Sequence, residues 1–167
     1  MTDPTVTIRP FVAEDWPAWR ALRLRALADS PDAFAATLAD AQARADETWQ
    51  ALLAQTVASG QHLPLLAVVG NQPAGLAWAK VEGGSATLYQ VWVAPEQRGH
   101  GIAQALLARA IGWASERGAT TIELEVTAGD TPAVRLYRRM GFVETGMPVP
   151  MTGRSGLHEQ GMRLLLD

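Results

Sequence analysis

A chain of 167 residues with 48% hydrophobic content can close one core without staples, and with no cysteine it has no disulfide, thiolate metal site or cysteine nucleophile. A formal charge of -3 with no basic run excludes a nucleic-acid backbone as a natural partner, so any anionic ligand must be bound locally. His62, His100 and His158 are too scattered to form a cluster by local spacing, and no metal is expected.

Met1-Thr2-Asp3-Pro4 carries neither the basic nor the apolar part of a secretory leader, and no run is long enough to cross a bilayer. The expectation is one cytoplasmic domain over 1–167 with no membrane partner. Val6, Ile8 and Phe11 mark a first strand within 5–12. Pro17 suits the first turn of a helix over 15–29, in which Trp16, Trp19, Leu22 and Leu27 share a stripe. Ser30-Pro31-Asp32 breaks it, and a second helix centred on Trp49, Leu52, Leu53 and Val57 ends at Gly60. Three apolar runs at 65–69, 74–81 and 86–93, separated by Gly70-Asn71-Gln72-Pro73 and Gly83-Gly84, predict an antiparallel meander.

Pro95 has no amide for a strand ladder and should stop the third run. Glu96-Gln97-Arg98-Gly99-His100-Gly101 then leads into a helix over 101–117, with Gly99 and Gly101 open to backbone angles that other residues avoid. First-turn amides of a helix have no internal partner and lie at the positive end of its dipole, so this loop is a candidate phosphate site, to which Arg98 adds a forked donor. A tight turn with an exposed arginine is the plainer reading of the same residues. No Gly-Lys-Ser/Thr follows, and a third glycine is missing, so neither a nucleoside-triphosphate loop nor a dinucleotide fingerprint is present.

Gly118 stops this helix, and 121–126 reads as the next strand. A strand, a crossover helix and a strand make a right-handed parallel pair, whose carboxyl ends form the edge where ligands of open sheets bind. Beyond it Thr131 is an N-cap, Pro132 a first-turn residue and Gly141 a stop for a helix over 132–140, before final strands at 142–149 and 158–166.

Arg98-x-x-Gly-x-Ala, ending at Ala103, followed by x-x-Ala-x-x-x-Tyr-x-x-x-Gly-Phe, ending at Phe142, resembles the GNAT family of acetyl-CoA-dependent N-acyltransferases. The resemblance implies an α/β (α+β) fold: a mixed sheet of six to seven strands with about four helices, antiparallel at its N-terminal side, with a parallel central pair splayed around the cofactor. It also implies a bulge in the fourth strand. The cosubstrate would be acetyl-CoA, its pyrophosphate held by the backbone from Arg98 through Gly99, His100, Gly101 and Ile102 to Ala103. The pantetheine arm would lie along Val91 and Val93, with the amide near Val93 facing its carbonyl.

By the same resemblance Tyr137 is the acid that protonates the leaving thiolate; a half-buried packing aromatic is the alternative. Glu125 resembles the carboxylate base of the ribosomal-protein N-terminal acetyltransferases, with Glu123 on its face and a water relay as the other route. Asp130 stands where members commonly carry Asn, which puts a donated contact to pantetheine in doubt. The acceptor pocket of such proteins is built by the first two helices, the fourth strand and the last two strands, where one or two tryptophans could face the acceptor. The loop at 148–158, with Arg154 and His158, either folds over that site or lies on the surface.

The activity implied is transfer of an acetyl group to a primary amine by direct attack. The acceptor could be a small molecule, an amino acid, an antibiotic or a peptide N-terminus. A noncatalytic coenzyme A sensor is the competing class, and turnover separates the two. A homodimer paired through an edge strand is compatible with this fold.

Overall fold

The computed structural model describes residues 5–34 and 36–167; Met1–Pro4, on which the leader reading rests, lie outside them. Seven strands, β1 (Val6–Pro10), β2 (His62–Val69), β3 (Gln72–Glu82), β4 (Ser85–Val93), β5 (Thr121–Thr127), β6 (Val143–Pro150) and β7 (His158–Leu165), form one sheet in the order β1-β2-β3-β4-β5-β7-β6. Only β4 and β5 run parallel. Among the described residues five α-helices accompany it: α1 (Trp16–Asp29), α2 (Leu38–Ala43), α3 (Asp46–Ser59), α4 (Ile102–Glu116) and α5 (Pro132–Arg139).

The meander and the parallel pair follow the expected order, and one helix was unforeseen. The segment leading to Gly60 is two helices, because Arg44 and Ala45 turn extended between them, and Thr37 caps the first by accepting from the Asp40 amide. The Ala-rich composition here suits helix throughout, so composition gave no sign of the break.

Two cores lie on opposite faces of the sheet. α4 packs Ile102, Leu106, Leu107 and Ala110 against Leu65, Ala67, Ala77 and Leu88 on one face, while α1 and α3 pack Trp19, Leu27, Trp49 and Leu53 against Leu66, Leu76 and Trp78 on the other. Strand alternation assigns these faces.

Along β4 the alternation flips. Ala86 and Leu88 face α4, but beyond them Val93 faces α4 and Trp92 has crossed to the α1 side. One extra residue accounts for it: Gln90 has φ 59, and the pairing with β3 shifts register between Leu76 and Trp78. This is the bulge that the resemblance implied. Pairing of β4 with β5 is confined to Ser85–Thr87 against Thr121–Glu123, and past that point the strands diverge. No described helix is long and apolar enough to cross a membrane.

Candidate active site

The gap opened by the bulge is a cleft of about 1260 Å³, reached by β4, β5, the glycine loop, α5, β7 and the end of α1. Its base is the start of α4. Gly101 caps that helix in the left-handed region at φ 76, with Gly99 at φ 83, so the loop adopts angles that a Cβ would resist. The first loop bond into the helix runs from the Ala105 amide to the Gly101 carbonyl. Among the described residues, no acceptor serves the amides of residues 99–104. Six consecutive unpaired N–H groups at a helix start make a cradle for an anion such as a pyrophosphate.

Arg98, Gly99, Gly101, Ile102 and Ala103 line the cleft. His100 does not; its ring contacts the Gln97 carbonyl at 3.2 Å, so only its backbone takes part in the loop. Arg98 is braced inward: Nε donates to the Val93 carbonyl at 3.0 Å and Nη2 to Asp29 Oδ2 at 2.6 Å. Asp29 also accepts from Ser30 and from Trp92 Nε1, and these hydrogen bonds together with Arg98 hold its carboxyl down at about 2. Arg98 therefore ties the glycine loop to α1 and β4, and the open donors of the loop are its amides.

Val91 and Val93 also line the cleft. The Ala94 amide donates to the Ala74 carbonyl at 2.8 Å, so alternation turns the Val93 N–H away from β3 and toward the side where β5 has diverged. An unpaired strand amide facing this gap is suited to a carbonyl oxygen of an extended arm.

Tyr137 reaches the cleft from α5, where Thr131 caps the helix by accepting from the Val134 amide at 3.2 Å. Its ring is buried edge-on to Phe142 at 5.8 Å, and burial pushes the phenol up to about 12. Among the described residues its hydroxyl has no hydrogen-bond partner. Asp130 pairs with Arg135 at 3.1 Å, outside the cleft lining, which is the behaviour of a turn residue.

Glu125 projects from β5 on the face shared with Glu123 and Thr127. Glu123 is engaged by Arg163 at 2.8 Å. Glu125 has a different neighbour, Glu159 of β7, lying diagonally across the register in which Thr127 faces Glu159 and Glu125 faces Gly161. A hydrogen bond shared with Glu125, then burial, then the like charge of Glu125 raise the Glu159 carboxyl from its ordinary value. Glu159 lines the cleft, and the sequence reading missed it. Only the antiparallel pairing of β5 with β7 brings Glu159 beside Glu125, and neither strand by itself signals it.

The loop after β6 forms a wall. Met151 is buried and lines the cleft, and Arg154 Nη2 donates to the carbonyls of Phe34 and Ala36, each at 3.1 Å. His158 does not line the cleft. Trp92 alone of the six tryptophans lines it, and Trp19 and Trp49 line a smaller pocket beside it.

A model of the acetyltransferase (GNAT) family matches residues 19–142. Among curated proteins, a mycothiol acetyltransferase of Clavibacter sepedonicus is 35% identical over 147 residues, covering 86% of this chain and 45% of the relative. Another mycothiol acetyltransferase, from Pseudarthrobacter chlorophenolicus, is 36% identical over 152 residues, covering 86% and 44%. The chain thus spans less than half the length of these relatives. Among solved structures, the ribosomal-protein-alanine N-acetyltransferase of Brucella melitensis superposes with a TM-score of 0.78 at 28% identity, covering 96% of this chain and 99% of that one. A GNAT acetyltransferase of Streptococcus pneumoniae gives 0.84 at 21% identity over 98% and 100%, a likeness of fold.

Proposed function

Because this chain belongs to the GNAT family of acetyltransferases, we propose that it moves the acetyl group of acetyl-CoA onto a primary amine, the amine attacking directly in a ternary complex. The observation that carries this reading is the row of unpaired amides at residues 99–104, set at the mouth of a strand gap that also holds Tyr137. Relatives named mycothiol acetyltransferase support acetyl transfer. This chain matches less than half their length, and the acceptor proposed here is the broader class of primary amines. With no cysteine in the chain, a cysteine-bound acetyl relay is excluded.

The residues fit the cosubstrate. The loop from Arg98 to Ala103 would hold the pyrophosphate with its amides, Arg98 would fix that loop through Asp29, and Val91 and Val93 would line the arm's path. Bound acetyl-CoA supplies an activated thioester, whose C–S bond breaks as the new C–N bond forms. Tyr137 carries its proton at neutral pH as any phenol does, burial raising it further to about 12, and its hydroxyl is the donor for the departing sulfur.

An amine with a pKa of about 10.4 is almost wholly ammonium at neutral pH and must lose a proton before it attacks. Glu125 and Glu159 form the acceptor for that proton. A shared hydrogen bond raises Glu159 toward the operating pH, where a carboxylate is a better base than an ordinary one. The pair's negative charge also draws an ammonium into the cleft.

Titration of the purified protein with acetyl-CoA by calorimetry, followed by a pooled panel of amines with thiol release as readout, tests this proposal. Binding with amine-dependent thiol release is the expected result. Binding with no release from any amine would favour a coenzyme A sensor, and an absence of binding would reject the reading at its loop.

A further inference from the structure

α1 carries an arginine that none of the roles above uses. Arg23 is 9% exposed, lines the cleft, and makes no hydrogen bond or ion pair among the described residues. Its Nη1 is fully buried without an acceptor among the described residues, and its guanidinium lies 4.7 Å from the centre of the Phe34 ring. Burial and then the charge of nearby Arg44 lower it to about 10, so it stays cationic at neutral pH. A buried cation left without a carboxylate is costly to a fold, and such a cost is retained where a ligand supplies the missing partner.

Arg23 also lines a second pocket of about 160 Å³, and Ala36 and Gln90 line both spaces, so the small pocket adjoins the cleft. Its wall includes Trp49, whose Nε1 is a second buried donor with no acceptor, and Arg44, whose guanidinium stacks on Trp49 at 4.6 Å. Gln90, the left-handed bulge residue, is fixed here through a 3.5 Å contact with Trp19 Nε1. Two residues with buried donors that lack acceptors among the described residues thus line one pocket, on the α1 side of β4. The volume suits a small anionic group and a few attached atoms. A planar carboxylate matches a guanidinium fork, and Asp40 on the same wall opposes a doubly charged phosphate.

We propose that this pocket is the acceptor's carboxylate subsite, in which Arg23 pairs with the carboxylate of an amino acid whose amine is presented to Glu125 and Glu159. The proposal rests on the acetyl-transfer reading for its amine end, and the pocket's anion chemistry stands apart from it. The cleft then carries both signs of charge in its lining, carboxylates on β5 and β7 for the ammonium and a guanidinium on α1 for the carboxylate. An acceptor with both groups is selected over an amine lacking the second, because that amine would leave Arg23 buried and unpaired.

Thiol release is measured for the wild type and Arg23→Gln with acetyl-CoA and each of the common amino acids beside its C-terminal amide, with phosphoethanolamine as a phosphate control. The expected result is a wild-type kcat/KM at least tenfold higher for a free acid than for its amide, a ratio that Arg23→Gln collapses mainly through KM. In parallel, N-acetyl amino acids and their amides are titrated by calorimetry in the presence of coenzyme A, a readout that needs no turnover. If no amine is turned over but N-acetyl amino acids bind the wild type and not Arg23→Gln, the transferase reading fails and the carboxylate subsite stands. Equal wild-type rates for acid and amide, a preference for phosphoethanolamine, or absence of any carboxylate-dependent binding would overturn it. Thermal melting of Arg23→Met distinguishes a packing role: an unpaired buried cation predicts a Tm at or above wild type, and a clear drop with the acid-to-amide ratio retained would assign Arg23 to the core.

Discussion

The Nη2 of Arg98 donates to Asp29 at 2.6 Å, joining the last residue of α1 to the loop that precedes α4. The same carboxylate oxygen accepts from Trp92 Nε1 at 3.0 Å, so one side chain ties together α1, the strand beyond the bulge and the glycine loop. The anion cradle is thereby positioned from the side of the molecule that would receive the acceptor.

Asp29→Asn should loosen the loop and weaken acetyl-CoA binding by about 1 kcal/mol, the scale of one partly exposed charged contact, read by calorimetry. The pH dependence has a definite sign. Asp29 is lowered from 3.8 to about 2 in the fold, so its contribution to stability is present above 3.8 and is lost as pH falls through that interval. Acid unfolding of the wild type should be steeper there than that of Asp29→Asn. Identical acid profiles for the two proteins would remove Asp29 as the brace.

Gly101→Asp should nearly abolish acetyl-CoA binding. A side chain at φ 76 is strained by ~1–2 kcal/mol, and a carboxylate at the mouth of the cradle opposes an incoming pyrophosphate. Gly101→Ala isolates the strain, since no atom lies within 4 Å of an added Cβ there, and should weaken binding far less. Equal losses for the two variants would show that conformation, and not charge, governs the loop.

Most of the fold could be read from local chemistry: Pro95, Gly101 and Gly118 punctuate strand, helix start and helix stop, and the tryptophans and leucines of α1 fall on one stripe. The split between α2 and α3 could not, because alanine favours helix on both sides of it. In the site, the loop and Tyr137 lie in contiguous motifs and were legible. Glu159 and Arg23 were not, because each depends on a partner distant in sequence. Glu159 matters through its diagonal placement against Glu125, and Arg23 through the acceptor it lacks. An arginine on an amphipathic helix reads as a solvated residue until its surroundings are known. The role of Arg98 was only half legible: its cation was plain, but its engagement by Asp29 required α1 to fold back onto the loop.

Tyr137→Phe should lower kcat by ~10²-fold or more while acetyl-CoA affinity stays near wild type, because only the hydroxyl is removed and the ring keeps its packing on Phe142. With the phenol at about 12, the wild-type rate should show no loss of this acid below that pH. Pre-steady-state thiol release measures the step directly. A Phe variant of undiminished rate would leave Tyr137 as a packing residue.

Glu125→Gln and Glu159→Gln separate two assignments for the amine's proton. A base must be ionised, so kcat/KM rises with pH through its pKa; Glu159 is raised above 4.5, so that rise should come at higher pH than an ordinary glutamate would give. If Glu159 is the base, Glu125→Gln removes both the shared carboxyl hydrogen bond and the like charge, and the rise should move to lower pH with activity retained. Glu159→Gln should then erase the rise and cost ~10²-fold or more. If Glu125 is the base, Glu125→Gln should cost ~10²-fold or more and Glu159→Gln should retain activity. The raised carboxyl has a further consequence with its own sign: Glu159 binds its proton more tightly folded than unfolded, so stability falls as pH rises through its folded pKa. Glu159→Gln should therefore melt at or above the wild-type temperature at pH 7, and if Glu159 is the base the same variant loses activity, the pattern of a residue strained for function. A rise in rate that neither variant moves would assign the proton to solvent.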